Sequence, residues 1–465
     1  MRRRDLLSGS LGGAVASLAG RAEAGMAAGP EARRMEVWLA RWLAAFNAAD
    51  LHAYRTFVEE TAPSVLPYVD DDLSVREITG GFDLVEVERL EAGVVTARVR
   101  DRAWDRVSRV TLSASDDRRL EDIAFAGAPA LETISRLKAD AAVAAIGDKI
   151  AREGRAGRFS GAVLVAQGDQ VAVRAGAGVA DEASGARIAP GTRFCIGSMG
   201  KMFTAVAVMQ MVEAGRIRLE TPIRNYLPDY PNAALAEGVT VRHLLTHTGG
   251  TGDVFGPGYD GHEGASAEPG DLVRLYGARE PLFAPGSRWA YSNFGFVLLG
   301  RILEVVRDRP YGALVEEQVF GPCGMGATSL RFADSRSTAT AYSGARATGL
   351  KPLAPYVGLP AGGGYSTVDD LGGFAVALRQ GRLVRPDTLK AMTERLVAAG
   401  ASHWGLGFAL RERNGLAYFG HGGSAPGVGG DLAIFPAFTT IVLCNRGHPS
   451  AVCLADFMGA RLPQA

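Results

Sequence analysis

Phe194-Cys195-Ile196-Gly197-Ser198-Met199-Gly200-Lys201-Met202-Phe203 is the stretch on which the fold assignment turns. A serine and a lysine three residues apart share one helical face, so Ser198 and Lys201 can form a nucleophile with its own base. The following run, Met202, Phe203, Val206, Met209, Met211 and Val212, is apolar on most sides. It predicts a buried helix with Ser198 at its N-terminal end, where backbone N–H groups favour developing negative charge. Free lysine titrates near 10.4, so holding it neutral at pH 7 costs roughly 4–5 kcal/mol, which desolvation and a nearby cation can supply. Cys195 lies close by, but no base is spaced to it as Lys201 is to Ser198.

Two later stretches add polar groups in a fixed order: Tyr291-Ser292-Asn293, then His421-Gly422-Gly423 in a glycine-rich run. Tyr291 offers a phenol that can relay a proton between serine and leaving group. Asn293, on the same side of an extended segment, can hydrogen-bond a substrate amide or the lysine. Singly, each pattern is common in turns and helices. In this order they resemble the serine β-lactamase, penicillin-binding-protein and family VIII esterase superfamily, whose motifs read S-x-x-K, Y-x-N and K-T-G or H-x-G. The resemblance implies Ser198, Lys201 and Tyr291 as catalytic residues, with Lys201 and Tyr291 acting as a coupled base. It implies Asn293, His421, Gly423 and Ser424 on the substrate side, the Ser424 N–H joining that of Ser198 around an oxyanion.

The likeness runs from about Arg158 to Cys444. Thr240-Val241-Arg242-His243-Leu244-Leu245-Thr246-His247-Thr248-Gly249-Gly250 is similar to the family's T-x-x-x-L-L-T-H-T-S-G loop, with Gly249 where serine is frequent. Gly362 to Asp370 is similar to its glycine-rich turn into a capped helix. His243 and His247 are four apart, but without a third ligand they read as loop-packing residues, and no metal or cofactor is expected. The departures bear on substrate. His421 stands where penicillin-hydrolysing members carry lysine, and Gly422 where they carry threonine or serine. Histidine is largely neutral at pH 7 and glycine has no hydroxyl, so recognition of a substrate carboxylate is weakened. The expectation is an ester or D-amino-acid amide hydrolase working through an acyl-enzyme on Ser198. The alternative is a non-catalytic or slowly deacylating binder of penicillin or peptidoglycan fragments, with a true β-lactamase behind both. No Gly-x-Ser-x-Gly surrounds Ser198, which separates the chain from α/β-hydrolases.

Strands Phe159 to Ala166 and Gln170 to Arg174 read as a hairpin, and Tyr418-Phe419, Gly430 to Phe435 and Thr439 to Cys444 supply further strands before a helix from Ser450 to about Leu462. Sheet from both chain ends would enclose a largely helical middle. The fold class expected is α+β: a β-lactamase/transpeptidase-like fold, an antiparallel sheet flanked by helices plus a helical half, over residues 131–465. A small α+β unit is expected before it, over residues 31–130. There Met35, Trp38, Leu39, Trp42 and Phe46 make one helical stripe, Leu51, Tyr54 and Phe57 a second helix, and segments 84–87, 94–99, 107–114 and 120–125 a meander turning at Asp116-Asp117. Order and size are loosely similar to the nuclear-transport-factor-2-like cone, with His52 and Trp104 as pocket candidates. A helix from Leu131 to about Glu153 is expected to join the two.

With 465 residues, 47% hydrophobic and 22% charged, the chain has ample material for a core. Fifty basic and fifty acidic residues cancel, so no global field draws it to nucleic acid, and a small-molecule or peptide substrate is the partner expected. Oligomeric state is not legible. Arg2-Arg3-Arg4, the apolar run Leu6 to Gly20 and Ala22-Glu23-Ala24 resemble a twin-arginine export signal over residues 1–24, so a periplasmic or secreted product without an integral span is expected. Cys195, Cys323, Cys444 and Cys453 lack Cys-x-x-Cys spacing and read as small buried residues.

Overall fold

The computed structural model describes residues 30–464 except 49, 115–118, 131, 255–267 and 332–336. The expected export signal, the Asp116-Asp117 turn and Leu131 lie outside the described residues.

Helix α1 (Pro30–Asn47) buries Met35, Leu39, Trp42 and Phe46, the stripe legible in the sequence, with Trp38 only half-covered. Helices α2 (Leu51–Thr61) and α3 (Val69–Thr79) follow, α2 starting at an Asp50 cap. Strands β1 (Phe82–Glu91), β2 (Val94–Asp101), β3 (Val107–Ala114) and β4 (Leu120–Gly127) pair in sequence order as an antiparallel sheet. The space between helices and sheet is filled by rings: Phe46 stacks on Phe82 at 5.3 Å and on Trp42 at 5.1 Å, and Phe125 closes on both. Neither pocket candidate of the first domain lines that space. His52 is exposed and lines an open surface cavity of about 530 Å³ between α1 and α2, and Trp104 is buried with its indole N–H on the Ile78 carbonyl at 2.9 Å.

The joining helix is shorter than the sequence implied: α4 spans Ala139–Arg155. Residues 132–138 lie outside any helix or strand, and their polar groups bond the far end of the chain instead of one another. The Leu137 N–H donates to the Arg461 carbonyl at 2.9 Å, and the Ile134 carbonyl accepts from Asn414 Nδ2 at 2.6 Å.

Strands β5 (Gly161–Gln167) and β6 (Gln170–Ala177) form the expected hairpin. Helices α5 (Lys201–Glu213), α6 (Asn293–Arg307) and α7 (Val368–Arg379) belong to the middle of the chain. Strands β7 (Val397–Ala399), β8 (Ser402–Trp404), β9 (Ala409–Arg413), β10 (Leu416–Ala425), β11 (Val428–Ile434) and β12 (Phe438–Cys444) come before the final helix α8 (Ser450–Arg461). Among the described residues the main sheet has eight strands in the order β7-β8-β9-β10-β11-β12-β5-β6, so the two chain ends meet at β12 and β5. Strand alternation divides β5 between two cores. Val163 and Val165 pack with Ile146 of α4 and Leu454 and Met458 of α8, while Ala162 and Leu164 pack with α5, α6 and α7. Helix α5 is covered on nearly every side, as its unbroken apolar run requires.

The first domain docks on the α4–α8 side. Trp104 joins the core there with Lys149 Nζ 4.6 Å over its ring, and Glu77 of α3 pairs with the buried Arg446 at 3.2 Å. An ion-pair chain continues inward: Arg106 bonds Asp456 at 2.9 Å, Asp456 accepts from Arg413 Nε at 2.8 Å, and Arg413 forks onto Asp431 of β11 at 2.8 and 3.1 Å. Arg413 is 6% exposed and Asp431 5%. Replacing Arg413 with Met leaves the buried Asp431 carboxylate without its cation, while Asp456 keeps Arg106, at an expected cost of about 3–5 kcal/mol. Urea unfolding of the two proteins measures it, and a loss under about 1 kcal/mol would show that the network is not holding the sheet.

Cys195, Cys444 and Cys453 are buried, Cys323 is half-buried, and all four are unbonded. Among the described residues no helix is long and apolar enough to cross a membrane, and no group of three or more His, Cys, Asp or Glu side chains is placed to hold a metal.

Candidate active site

Ser198 lies in a 3-10 turn, Gly197–Gly200, that runs directly into α5, and Lys201 is the first residue of that helix. The short spacing delivers what the sequence implied, with Lys201 Nζ 3.3 Å from Ser198 Oγ. The two differ in exposure: Ser198 is half-buried and reachable, whereas Lys201 is fully buried. Around Nζ stand Asn293 Oδ1 at 2.6 Å, the Ala361 carbonyl in short contact, and the Tyr291 ring with its centroid 4.8 Å away. Burial lowers the Lys201 pKa to about 7, against the opposing charge of Asp253. Burial also pushes the Tyr291 phenol up from its usual value, and a hydrogen bond with Ser198 partly offsets that shift. Cys195 is driven the other way from a nucleophile, its thiol pushed up to about 12 by burial.

Asn293 differs from its expected setting. It is the first residue of α6, where the Ser292 hydroxyl caps the Gly295 N–H at 2.9 Å, and is not part of an extended segment. Its side chain is committed at both ends, the oxygen to Lys201 and Nδ2 to Asp253 Oδ2 at 3.1 Å. His247, in the loop preceding Asp253, accepts from the Ser292 N–H at 3.1 Å and stacks on Tyr291 at 4.3 Å. It therefore orders the Tyr291-Ser292-Asn293 turn, which fits the loop-packing role and not metal ligation.

The third motif lies on β10. Strand β9 pairs with residues 416–420 only, so residues 421–425 carry β11 on one edge and leave the other to the Ser198 turn. The approach is close enough to demand glycine. A Cβ on Gly423 would lie 2.0 Å from the Ile196 carbonyl oxygen, and one on Gly197 would lie 3.1 Å from the Ser424 nitrogen. His421 shares the strand face of Gly423 and so points toward the same turn. It is buried against Trp404, ring centroids 5.4 Å apart, and near Tyr291 at 6.3 Å. His421 Nδ1 lies 2.5 Å from the Gly422 carbonyl oxygen, a distance at which two acceptors repel, so Nδ1 carries the proton. Burial, then the Lys201 charge, lowers the His421 pKa to about 3. The imidazole is therefore neutral at pH 7 and its Nε2 presents a lone pair with no hydrogen-bond partner among the described residues.

Three participants were not singled out in the sequence. Asp253 sets the charge behind Asn293, Trp404 walls the site against Tyr291, His247 and His421, and the Ala361 carbonyl anchors Lys201. Only the last had a visible signal, the Ala361-Gly362-Gly363-Gly364 run. A Cβ on Gly362, at φ +142°, would sit 2.6 Å from the Gly197 carbonyl oxygen, so glycine lets this loop close over the Ser198 turn.

Comparison with known proteins bears on residues 143–459, which match the β-lactamase family. Penicillin-binding protein 4 of Amycolatopsis lactamdurans is 27% identical over 324 residues, covering 62% of this chain and 83% of that protein. Esterase EstB of Burkholderia gladioli is 34% identical over 183 residues, covering 36% of this chain and 46% of the esterase. Among solved structures, a D-stereospecific amidohydrolase from Streptomyces sp. superposes with a TM-score of 0.59 at 29% identity, covering 70% of this chain and 99% of that one.

Proposed function

This chain belongs to the β-lactamase family, the match covering residues 143–459, and on that premise we propose that it is a serine hydrolase cleaving esters or D-amino-acid amides through an acyl-enzyme on Ser198. The observation that carries the proposal is a fully buried Lys201 amine 3.3 Å from a reachable Ser198 hydroxyl. Neutral Lys201 takes the serine proton as Oγ attacks the carbonyl carbon, and the charge that develops on the carbonyl oxygen is met by the N–H groups of Ser198 and Ser424. Tyr291 passes its phenol proton to the departing alkoxide or amine and is restored by the proton that Lys201 took from Ser198, so it ends the step neutral. Water then attacks the acyl-enzyme with the same pair as base, returning Ser198. Asn293 orients the lysine instead of binding substrate directly.

The substrate class follows from His421. A neutral imidazole presenting a lone pair gives no cation for a substrate carboxylate, and Gly422 adds no hydroxyl. Esterase EstB and the D-stereospecific amidohydrolase stand among the similar proteins beside penicillin-binding protein 4, so the choice rests on His421 and Gly422. The test is intact-protein mass after a fluorophosphonate, with p-nitrophenyl butyrate, D-alanine p-nitroanilide and a penicillin assayed in parallel. An adduct on the peptide holding Ser198 with ester or amide turnover is expected. A stable penicilloyl adduct with no turnover of the other two would move the protein to the slowly deacylating binders, and no adduct at all would remove the serine mechanism.

A further inference from the structure

We infer that a second cavity, next to the Ser198 site but built from other residues, binds an organic carboxylate with an apolar body. It encloses about 560 Å³ between the turn before Tyr291 and strand β7, a volume suited to a small molecule. Its lining combines the apolar Trp289, Leu396, Val397 and Ala398 with the cationic residues Arg242 and Arg288. Among the described residues no aspartate or glutamate lines it. Arg242 leans outward to Glu220, a largely exposed side chain, at 2.5 Å. Arg288 is different. Its guanidinium carbon sits 4.2 Å over the Phe283 ring, and it makes no ion pair with any described residue. Arg288 is exposed, and its planar fork of donors, stacked on an aromatic face with no anion among the described residues to meet it, matches a carboxylate in shape and charge. The apolar wall specifies the rest of the ligand, since a bare inorganic anion would leave Trp289 and Leu396 facing water. Trp289 adjoins the catalytic cluster, its ring 6.5 Å from Tyr291 and 6.1 Å from Trp404, and so places the cavity beside that site.

The experiment is calorimetric titration of the full chain with 4-phenylbutyrate, with 4-phenylbutan-1-ol and with inorganic phosphate. Saturable binding of the carboxylate is expected, with the alcohol about tenfold or more weaker, because a charge-assisted hydrogen bond contributes roughly 1.5–3 kcal/mol. Arg288→Ala should weaken the carboxylate by a similar factor, Arg288→Lys by less, and phosphate should bind more weakly than the carboxylate. Protein whose Ser198 already carries the fluorophosphonate should bind as before. Equal affinity for alcohol and carboxylate, no change in R288A, or phosphate binding as tightly would each overturn the proposal. So would loss of binding on the labelled protein, which would place the carboxylate in the catalytic cleft. A failure of labelling counts against the serine hydrolase alone, because the Arg288 comparison does not depend on it.

Discussion

Ser198→Ala is expected to lower kcat/KM for any ester or amide substrate by at least about ten-thousand-fold, the range typical of a removed serine nucleophile. The fold should survive. Ser198 is half-buried in a short turn, whereas the packing there comes from Met199 and Met202, both buried in the main core. Lys201 would also keep Asn293 and the Ala361 carbonyl as partners, so the amine is not left bare when the hydroxyl goes. The decisive comparison is turnover and fluorophosphonate labelling in the variant at unchanged thermal stability. Activity within tenfold of wild type would mean that another group attacks, and Cys195, buried with a raised pKa, is poorly placed to be that group.

How much of this was legible depended on whether the deciding contacts were local. The α1 stripe, the four strands of the first domain and the β5–β6 hairpin follow from side-chain periodicity over a few residues, and each forms near its expected place. The Ser198–Lys201 pair is equally local, since one helical turn fixes it. Helix α3 was missed because its apolar stripe is weak, although its three N-terminal aspartates, Asp70 to Asp72, suit the positive end of a helix. Residues 132–138 failed as a helix because Arg461 and Asn414, hundreds of residues away, take their backbone groups. The same distance hid Asp253 and Trp404. Nothing near Asp253 in sequence announces that it will hold Asn293, and Trp404 reaches Tyr291 only once β8 is laid into the sheet. Asn293 was expected on an extended segment because the Ser292 cap that starts α6 was not weighed as a helix signal.

The pH dependence of catalysis follows from the same burial that makes Lys201 a base. With its pKa lowered to about 7, Lys201 is protonated below neutrality and loses the lone pair that accepts the serine proton, so kcat/KM should fall on the acid side with a midpoint near pH 7. His421, at about 3, and His247, held well below its usual value, stay neutral through that range and do not account for the limb. Lys201→Ala should cost about 100- to 10,000-fold and flatten the limb, the range for removing a general base. Asp253→Asn separates charge from shape, because an amide oxygen can still accept from Asn293 Nδ2. The Asp253 charge raises the Lys201 pKa, so removing it should move the acid limb to lower pH, and the variant should keep more of its maximal rate at pH 6 than wild type does. A limb that stays in place, or moves upward, would separate Asp253 from the base. The same shift has a signature in stability. Between about pH 7 and the ordinary lysine value of 10.5 the unfolded chain binds the proton that buried Lys201 does not, so this residue makes stability rise with pH across that window. Lys201→Met should remove that slope while abolishing the acid limb of catalysis. Loss of both together would tie them to one buried amine, whereas a slope that persists in the variant would assign it to another group.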